Sequence, residues 1–123
     1  MEQAVLDRVG SASAFKSESV SFVGERIIRS FMDIIILRHL KSNHSISGYD
    51  IIKYLHRKFS TLPSPGTVYS LLYSLERQDL IEGSIHQRGR VYRLTEKGEK
   101  FLEDIGLARK HLERSFAVIF SEG

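Results

Sequence analysis

The chain has 123 residues, of which 41% are hydrophobic and 27% are charged, a composition that favours one folded domain, or one domain with an appended helix, over disorder. It contains no cysteine, which excludes disulfides, a thiol nucleophile and zinc sites built on cysteine. The longest aliphatic run, residues 34–37, is far shorter than the ~20 residues that cross a bilayer. The N-terminus also lacks the apolar core of a signal peptide, so we expect a soluble, cytoplasmic protein.

The net charge is +3, and the basic excess lies in the middle of the chain. Residues 25–95 hold eleven basic and six acidic side chains, whereas residues 1–24 and residues 96–123 each carry a net charge of −1. A basic centre between near-neutral ends is typical of a surface that binds a polyanion, but many segments of similar charge bind nothing. Charge alone therefore favours a nucleic-acid partner only weakly.

The first half of the chain predicts an arm and two helices. Residues 1–24 end in a stretch rich in serine and glycine without helical periodicity, which predicts a flexible N-terminal arm. Apolar residues then recur at steps of three and four, which predicts a helix over residues 25–41. Residues 46–48 predict a short extended entry into a second helix, which ends near Lys58.

A third helix begins at Ser64, whose hydroxyl can cap the first turn, and Pro65 fits the first helical position because its missing N–H has no partner to lose. At 100° per residue, the apolar side chains form one stripe that we expect to be buried. The opposite side carries small residues, hydroxyls, a phenol and one arginine: Gly66, Ser70, Tyr73 and Arg77, flanked by Tyr69 and Ser74. An ordinary solvated helix face carries more charge than this one.

A hairpin and a last helix complete the predicted order. Residues 80–86 and residues 90–94 read as two strands, with Arg88, Gly89 and Arg90 at the tip of the hairpin. A final helix, capped by Thr95, is predicted over residues 96–120. Its apolar residues follow a heptad seam, which would expose much apolar surface in a single chain, so residues 96–123 are predicted to form a dimerisation helix. The predicted dimer contacts are Phe101, Ile105, Ala108, Leu112, Phe116 and Ile119.

Three helices followed by a two-stranded hairpin is the order of a winged helix-turn-helix, so we expect a mainly α fold of the α+β type over residues 25–95. The third helix would be the recognition helix, because a major groove ~12 Å wide accepts one helix whose leading face lacks acids and bulky aliphatic side chains. The hairpin would be the wing. The predicted DNA-binding residues are Ser64, Gly66, Thr67, Tyr69, Ser70, Tyr73 and Arg77 of the third helix, Arg88 and Arg90 of the wing, and Lys53 of the second helix.

Three segments also resemble a known family. Residues 64–69 (SPGTVY), followed by leucines and by residues 80–81, look like the recognition-helix segment of PadR-type transcriptional regulators. Residues 48–51 (GYDI) are similar to their G-Y-[ED]-I helix opening, and residues 90–98 (RVYRLTEKG) resemble their second wing strand and the start of the next helix. The resemblance covers roughly residues 31–102. It departs from the family pattern at Ser70, and at Asp79, where the family has glycine.

The resemblance implies a DNA-binding repressor that pairs through its C-terminal helix, and we expect it to bind a pseudo-palindromic operator as a homodimer. Because some members of the family bind aromatic effectors near the dimer interface, a small aromatic effector is a further hypothesis. Its natural wall residues would be Phe31, Phe101, Phe116 and Phe120, although all four are more simply explained as core.

One other function class stays open, and enzymes are not favoured. A winged helix can also serve as a protein-interaction module without DNA binding, in which case Tyr69, Tyr73 and the neighbouring serines would form the docking patch. The chain has no G-x-S-x-G motif and no phosphate-binding glycine loop, so no catalytic residue is predicted. Its five histidines include no H-x-x-x-H pair, so no metal or other cofactor is expected.

Overall fold

In a computed structural model of the protein, the residues described are 17–59, 63–87 and 89–121. They form six helices and three strands. The helices are α1 (Glu18–Ser30), α2 (Met32–Ser42), α3 (Gly48–Lys58), α4 (Pro65–Arg77), α5 (Glu96–Leu107) and α6 (Arg109–Phe120). The strands are β1 (Ile46–Ser47), β2 (Ile81–His86) and β3 (Gly89–Leu94). Among these helices, none has the length and apolar character needed to cross a membrane.

The chain divides into two compact units, residues 1–32 and residues 33–123. Helix α1 of the first unit begins at Glu18, where the Ser17 hydroxyl accepts a hydrogen bond from the N–H of Val20 at 3.2 Å. The prediction of a flexible arm is therefore wrong for residues 18–24. This serine-rich stretch instead forms the first turns of a helix that is capped by Ser17 and continues to Ser30. Residues 1–16 lie outside the described residues, so the rest of the arm stays a prediction.

Two predicted helices are each interrupted at one residue. The helix predicted over residues 25–41 is broken at Phe31, whose φ and ψ are −115° and 20°. The final helix is broken at Ala108, with φ and ψ of −89° and 7°. Apolar spacing continues across both breaks, and neither position is a glycine or a proline. Periodicity alone therefore could not locate them.

In the second unit, α3 and α4 pack against each other and against a three-stranded antiparallel sheet of order β1-β3-β2. In this sheet Tyr92 of the central strand lies opposite Ile46 on one side and Gly83 on the other. Helix α4 buries the stripe that its periodicity predicts, through Val68, Leu72 and Leu75. The remaining core residues are Ile36, Leu37 and Leu40 of α2, Ile51 and Leu55 of α3, and Ile46, Leu80, Ile81, Tyr92 and Leu102.

One turn joins the end of α4, the hairpin and the start of α5. Asp79 has a φ of 60°, a left-handed conformation that glycine adopts most easily, which explains the glycine of the family pattern at this position. The Thr95 hydroxyl donates to the carbonyl of Asp79 at 2.6 Å and accepts from the N–H of Gly98 at 3.0 Å. The N–H of Thr95 donates to the carbonyl of Leu80 at 3.1 Å. Thr95 therefore caps α5 and holds it against this turn.

Gly98 allows α5 to approach the turn closely. A Cβ atom at this position would overlap the carbonyl oxygen of Leu80 and lie 2.6 Å from Cδ1 of Leu94. We expect Gly98→Ala to lower the free energy of unfolding by about 1–3 kcal/mol, as overpacking of a tight core does, measured by urea denaturation. Gly106→Ala is the control in the same helix, because no atom lies within 4 Å of its added Cβ. Equal stability of the two variants would contradict the close approach.

Candidate nucleic-acid interface

The outer face of α4 is exposed along its whole length. Ser64 caps the helix: its Oγ accepts a hydrogen bond from the N–H of Thr67 at 3.2 Å and lies 3.1 Å from the Thr67 hydroxyl. The first turn contains no acidic residue, so the helix dipole and the N-terminal N–H groups together favour an anion at this end. The predicted contact residues that are exposed on α4 and its cap are Ser64, Gly66, Thr67, Tyr69, Ser70, Tyr73 and Arg77.

Two exposed cations, one on α4 and one on α3, lie near aromatic rings. The guanidinium of Arg77 lies 5.7 Å from the ring centroid of Tyr73, one turn earlier in α4. On α3, the ammonium of Lys53 lies 5.5 Å from the ring centroid of Tyr49. A cation–π contact restricts the side chain but leaves the charge accessible to a second partner. Both charges are therefore accessible to a second partner.

Tyr69 has a packing role in addition to its exposed surface. A Cβ atom at Gly48, the first residue of α3, would lie 2.6 Å from Cε1 and 3.0 Å from the hydroxyl oxygen of Tyr69. The ring therefore fits against a position that only glycine leaves open. The two sequence segments GYDI and SPGTVY, which carry much of the family resemblance, thus meet in space at Gly48 and Tyr69.

The wing, formed by β2 and β3, contacts α4 through Arg90. Its Nη2 lies 2.6 Å from Oε2 of Glu76, and its Nε lies 3.4 Å from Oε1 of the same carboxylate. The hydrogen bonds to Glu76, together with the charge of that carboxylate, raise the pKa of Arg90 above its ordinary value. The sequence predicts a DNA contact for Arg90 and carries no signal for this ion pair, which joins residues fourteen positions apart. Arg88, the other predicted wing contact, lies outside the described residues.

An open depression of about 520 Å³ lies between α4 and the wing. Burial, followed by the charge of Glu76, raises the pKa of Tyr92 at its inner edge, so this phenol stays neutral at physiological pH. The depression thus brings three tyrosine phenols together with two cations and one anion. Its lining residues are Tyr69, Tyr73, Glu76, Arg77, Arg90 and Tyr92.

The described residues form no cluster of three or more metal-ligating side chains. The chemistry available at this surface is hydrogen bonding, ion pairing and aromatic stacking.

The last helix presents a second exposed surface. Helix α6 has no buried residue, and Phe116 and Phe120 lie against each other with their ring centroids 5.0 Å apart. Along the predicted seam, Leu112 is 48% exposed and Ile119 is 71% exposed. Phe101 and Ala108 are also exposed, and Ile105 is partly so, because Leu102 is the residue of α5 that enters the core.

The three-helix core, the exposed α4 and the hairpin define a winged-helix protein, as the sequence predicted. A family model described as the transcriptional regulator PadR-like family matches residues 36–104, which is more than half of the chain. The chain therefore belongs to the PadR-like family of transcriptional regulators, and its function is regulation of transcription rather than catalysis.

Solved structures agree with this assignment. A PadR family transcription regulator from Clostridium difficile R20291 is 26% identical, with a TM-score of 0.62, over 74% of this chain and 99% of that one. A transcriptional regulator from Clostridium thermocellum is 25% identical, with a TM-score of 0.65, over 79% of this chain and 96% of that one. A PadR family regulator from Eggerthella lenta DSM 2243, at 21% identity and a TM-score of 0.68, covers 86% of this chain and 96% of its own and shows the same fold. No curated protein matches the chain.

The contact between Gly48 and Tyr69 makes a specific prediction. We expect Gly48→Ala to displace the Tyr69 ring and to destabilise the protein by about 1–2 kcal/mol, since the new Cβ needs space that the ring occupies. Urea denaturation measures the loss, and the NMR signals of the Tyr69 ring report the displacement. Adding Tyr69→Ala removes the obstacle, so Gly48→Ala should cost less in that background than in the wild type. An equal cost in both backgrounds would show that the contact does not limit position 48.

Proposed function

We propose that the protein binds a specific double-stranded DNA sequence as a homodimer and represses transcription from it. The observation that carries the proposal is the outer face of α4, which is exposed from Ser64 to Arg77, begins without an acid and offers hydroxyls and a phenol. Such a face suits the major groove, where hydrogen-bonding groups distinguish the four base pairs.

The proposed contacts divide by their position along α4. Ser64 and Thr67, beside the helix N-terminus, would hold a backbone phosphate, and Arg77 at the other end would hold a second one. Ser70 and Tyr73, in the middle of the helix, would meet base edges. Gly66 would allow the DNA to approach the helix closely. The nearest atom to a Cβ added at this position is the Ser64 Oγ, at 3.8 Å, and the space around it is otherwise open.

Phosphate contacts outside α4 would add affinity that depends on salt. Lys53 of α3 is exposed. Helix α3 is the first helix of the helix-turn-helix, which crosses the DNA backbone, so Lys53 would contact a phosphate there. Arg88 at the tip of the wing stays a predicted contact from the sequence. Counterion release makes each such contact visible as part of the slope of log K against log salt concentration.

The exposed seam of α5 and α6 supports the homodimer. A helix whose apolar side chains contact little of their own chain needs a partner to remove them from water. A second copy of α6 presents the same exposed apolar residues, Leu112, Phe116 and Ile119, so two copies can cover each other. A two-fold axis would bring the two recognition helices into successive major grooves about 34 Å apart, and this spacing corresponds to a pseudo-palindromic operator.

The alternative function, docking to a protein without binding DNA, is less well supported by the charges. Lys53 of α3 and Arg77 of α4 are both exposed, while Glu76, the acid in the last turn of α4, is paired with Arg90. The surface therefore offers uncompensated positive charge, which a DNA backbone uses. An aromatic effector stays a prediction, with Phe101, Phe116 and Phe120 all partly exposed.

Selection of bound duplexes from a random pool tests the DNA-binding proposal. We expect one enriched pseudo-palindromic sequence. Arg77→Ala should weaken binding to selected and random duplexes by a similar factor and reduce the salt slope by about 1, because it removes a phosphate contact. Ser70→Ala should instead change the enriched bases. Arg93→Ala is the control. Arg93 lies three positions after Arg90 on β3, so its side chain is on the opposite face of the strand, away from α4. No enrichment even at low salt would refute DNA binding.

Leu112→Glu tests the dimer. A charge placed on the seam should leave the chain folded but monomeric, measured by sedimentation velocity, and should reduce operator affinity because only one half-site is then held. Lys110→Glu introduces the same side chain on the outward face of α6, two residues away, and should stay dimeric. A dimer that survives Leu112→Glu would exclude this seam as the interface.

A further inference from the structure

The ion pair between Arg90 and Glu76 connects the wing to the recognition helix at the wing's outer half. Arg90 pairs with Ile85 in the register of the hairpin, one step from the turn. Residues 84–87 of the same half are exposed, whereas Ile81 at the inner end of β2 is buried. The inner end of the wing is thus fixed by the core, and its outer half meets α4 through a charged contact.

Three groups hold the Arg90 side chain. Glu76 accepts two of its hydrogen bonds, and the Tyr92 ring centroid lies 5.9 Å from its guanidinium carbon. The third group is the backbone of Gly83, where a Cβ atom would lie 2.7 Å from Nε and 2.9 Å from Nη2 of Arg90. The guanidinium therefore lies over the backbone of Gly83 while 43% of the Arg90 side chain stays exposed. These three contacts, with the Glu76 carboxylate the strongest of them, direct the side chain toward α4.

The charges around Arg90 also favour its pairing with Glu76 over contact with a phosphate. Glu76 lines the depression between α4 and the wing, where an unpaired carboxylate would repel a DNA backbone. Pairing with Arg90 neutralises it. If Arg90 turned to a phosphate instead, the carboxylate would lose its partner beside that same phosphate.

We infer that Arg90 and Glu76 are positioning residues: they fix the outer half of the wing against the recognition helix, and Arg90 does not itself bind a phosphate. The consequence for DNA rests on the proposed function, because the fixed wing is what sets the distance between α4 in the major groove and the wing tip on the flanking backbone. The contact within the free protein does not depend on DNA.

Glu76→Ala separates the two roles by the sign of its effect. If Arg90 bound a phosphate, removing a nearby acid would free the arginine and strengthen binding. If Glu76 positions the wing, DNA binding needs it, and Glu76→Ala should weaken binding to the selected duplex. The expected loss is about fivefold, which corresponds to the stronger of the measured surface ion pairs. Arg90→Ala should weaken binding equally, and the double variant should be no weaker than either single one.

The salt dependence gives a second readout on the same variants. Arg90→Ala should leave the slope of log K against log salt concentration unchanged, in contrast to Arg77→Ala, because no released counterion is lost. The control pair is Glu82 and Arg93, which joins β2 to β3 at 3.5 Å within the wing. Alanine at either position should change affinity less than twofold. A tighter Glu76→Ala complex, or a slope reduced by Arg90→Ala, would overturn the inference.

Hydrogen exchange in the free protein tests, without DNA, whether the Arg90–Glu76 pair holds the outer half of the wing. Amides of residues 84–86 should exchange several times faster in Glu76→Ala and in Arg90→Ala, while amides of the α4 core stripe keep their wild-type rates and confirm that the variants are folded. Unchanged rates at residues 84–86 would overturn the inference. If the wild-type chain selects no duplex, the proposed function fails, and this exchange measurement still tests whether the pair holds the wing.

Discussion

Burial of Val68, Leu72 and Leu75 on one side of α4 is the constraint on which the rest of this structure depends. These three side chains are almost completely removed from water, at 1%, 0% and 2% exposure, so the helix has only one rotational setting. The opposite side, with its serines, tyrosines and terminal arginine, then has to face solvent. Function at this surface follows from core packing, because the core decides which side chains a partner can reach.

The same core also sets the position of the wing. Thr95 and Gly98 bring α5 against the turn that ends α4, and Tyr92 enters the core from the central strand. From there the outer half of the hairpin, residues 84–87, is exposed to solvent. Arg90 and Glu76 act where the core no longer reaches, which is why a charged pair replaces apolar packing at that point.

Much of the fold could be predicted from the sequence, because its signals are local. Ser64 and Pro65 mark a helix start, alternation marks β3, and the hairpin is defined by its turn. The errors arose where no local signal exists. Apolar spacing runs unbroken across Phe31 and Ala108, and the serines before residue 25 concealed the cap at Ser17.

The sequence predicted which residues of α4 share the candidate surface, but not the contacts that they make with other elements. Helical geometry alone places the outer residues of α4 together, since they recur every three or four positions. The pairing of Glu76 with Arg90 joins residues fourteen positions apart on different elements, and the fit of Tyr69 to Gly48 joins two separate motifs. Contacts of this kind depend on how the elements pack, which a single sequence does not encode in any periodic pattern.

The central claim is that the outer face of α4 meets DNA. Titration of the isotopically labelled protein with its selected duplex, followed by amide chemical shifts, tests it most directly. We expect the largest changes in chemical shift at residues 64–77 and in the wing, and none in α6. Large changes confined to α6, with α4 unaffected, would contradict it.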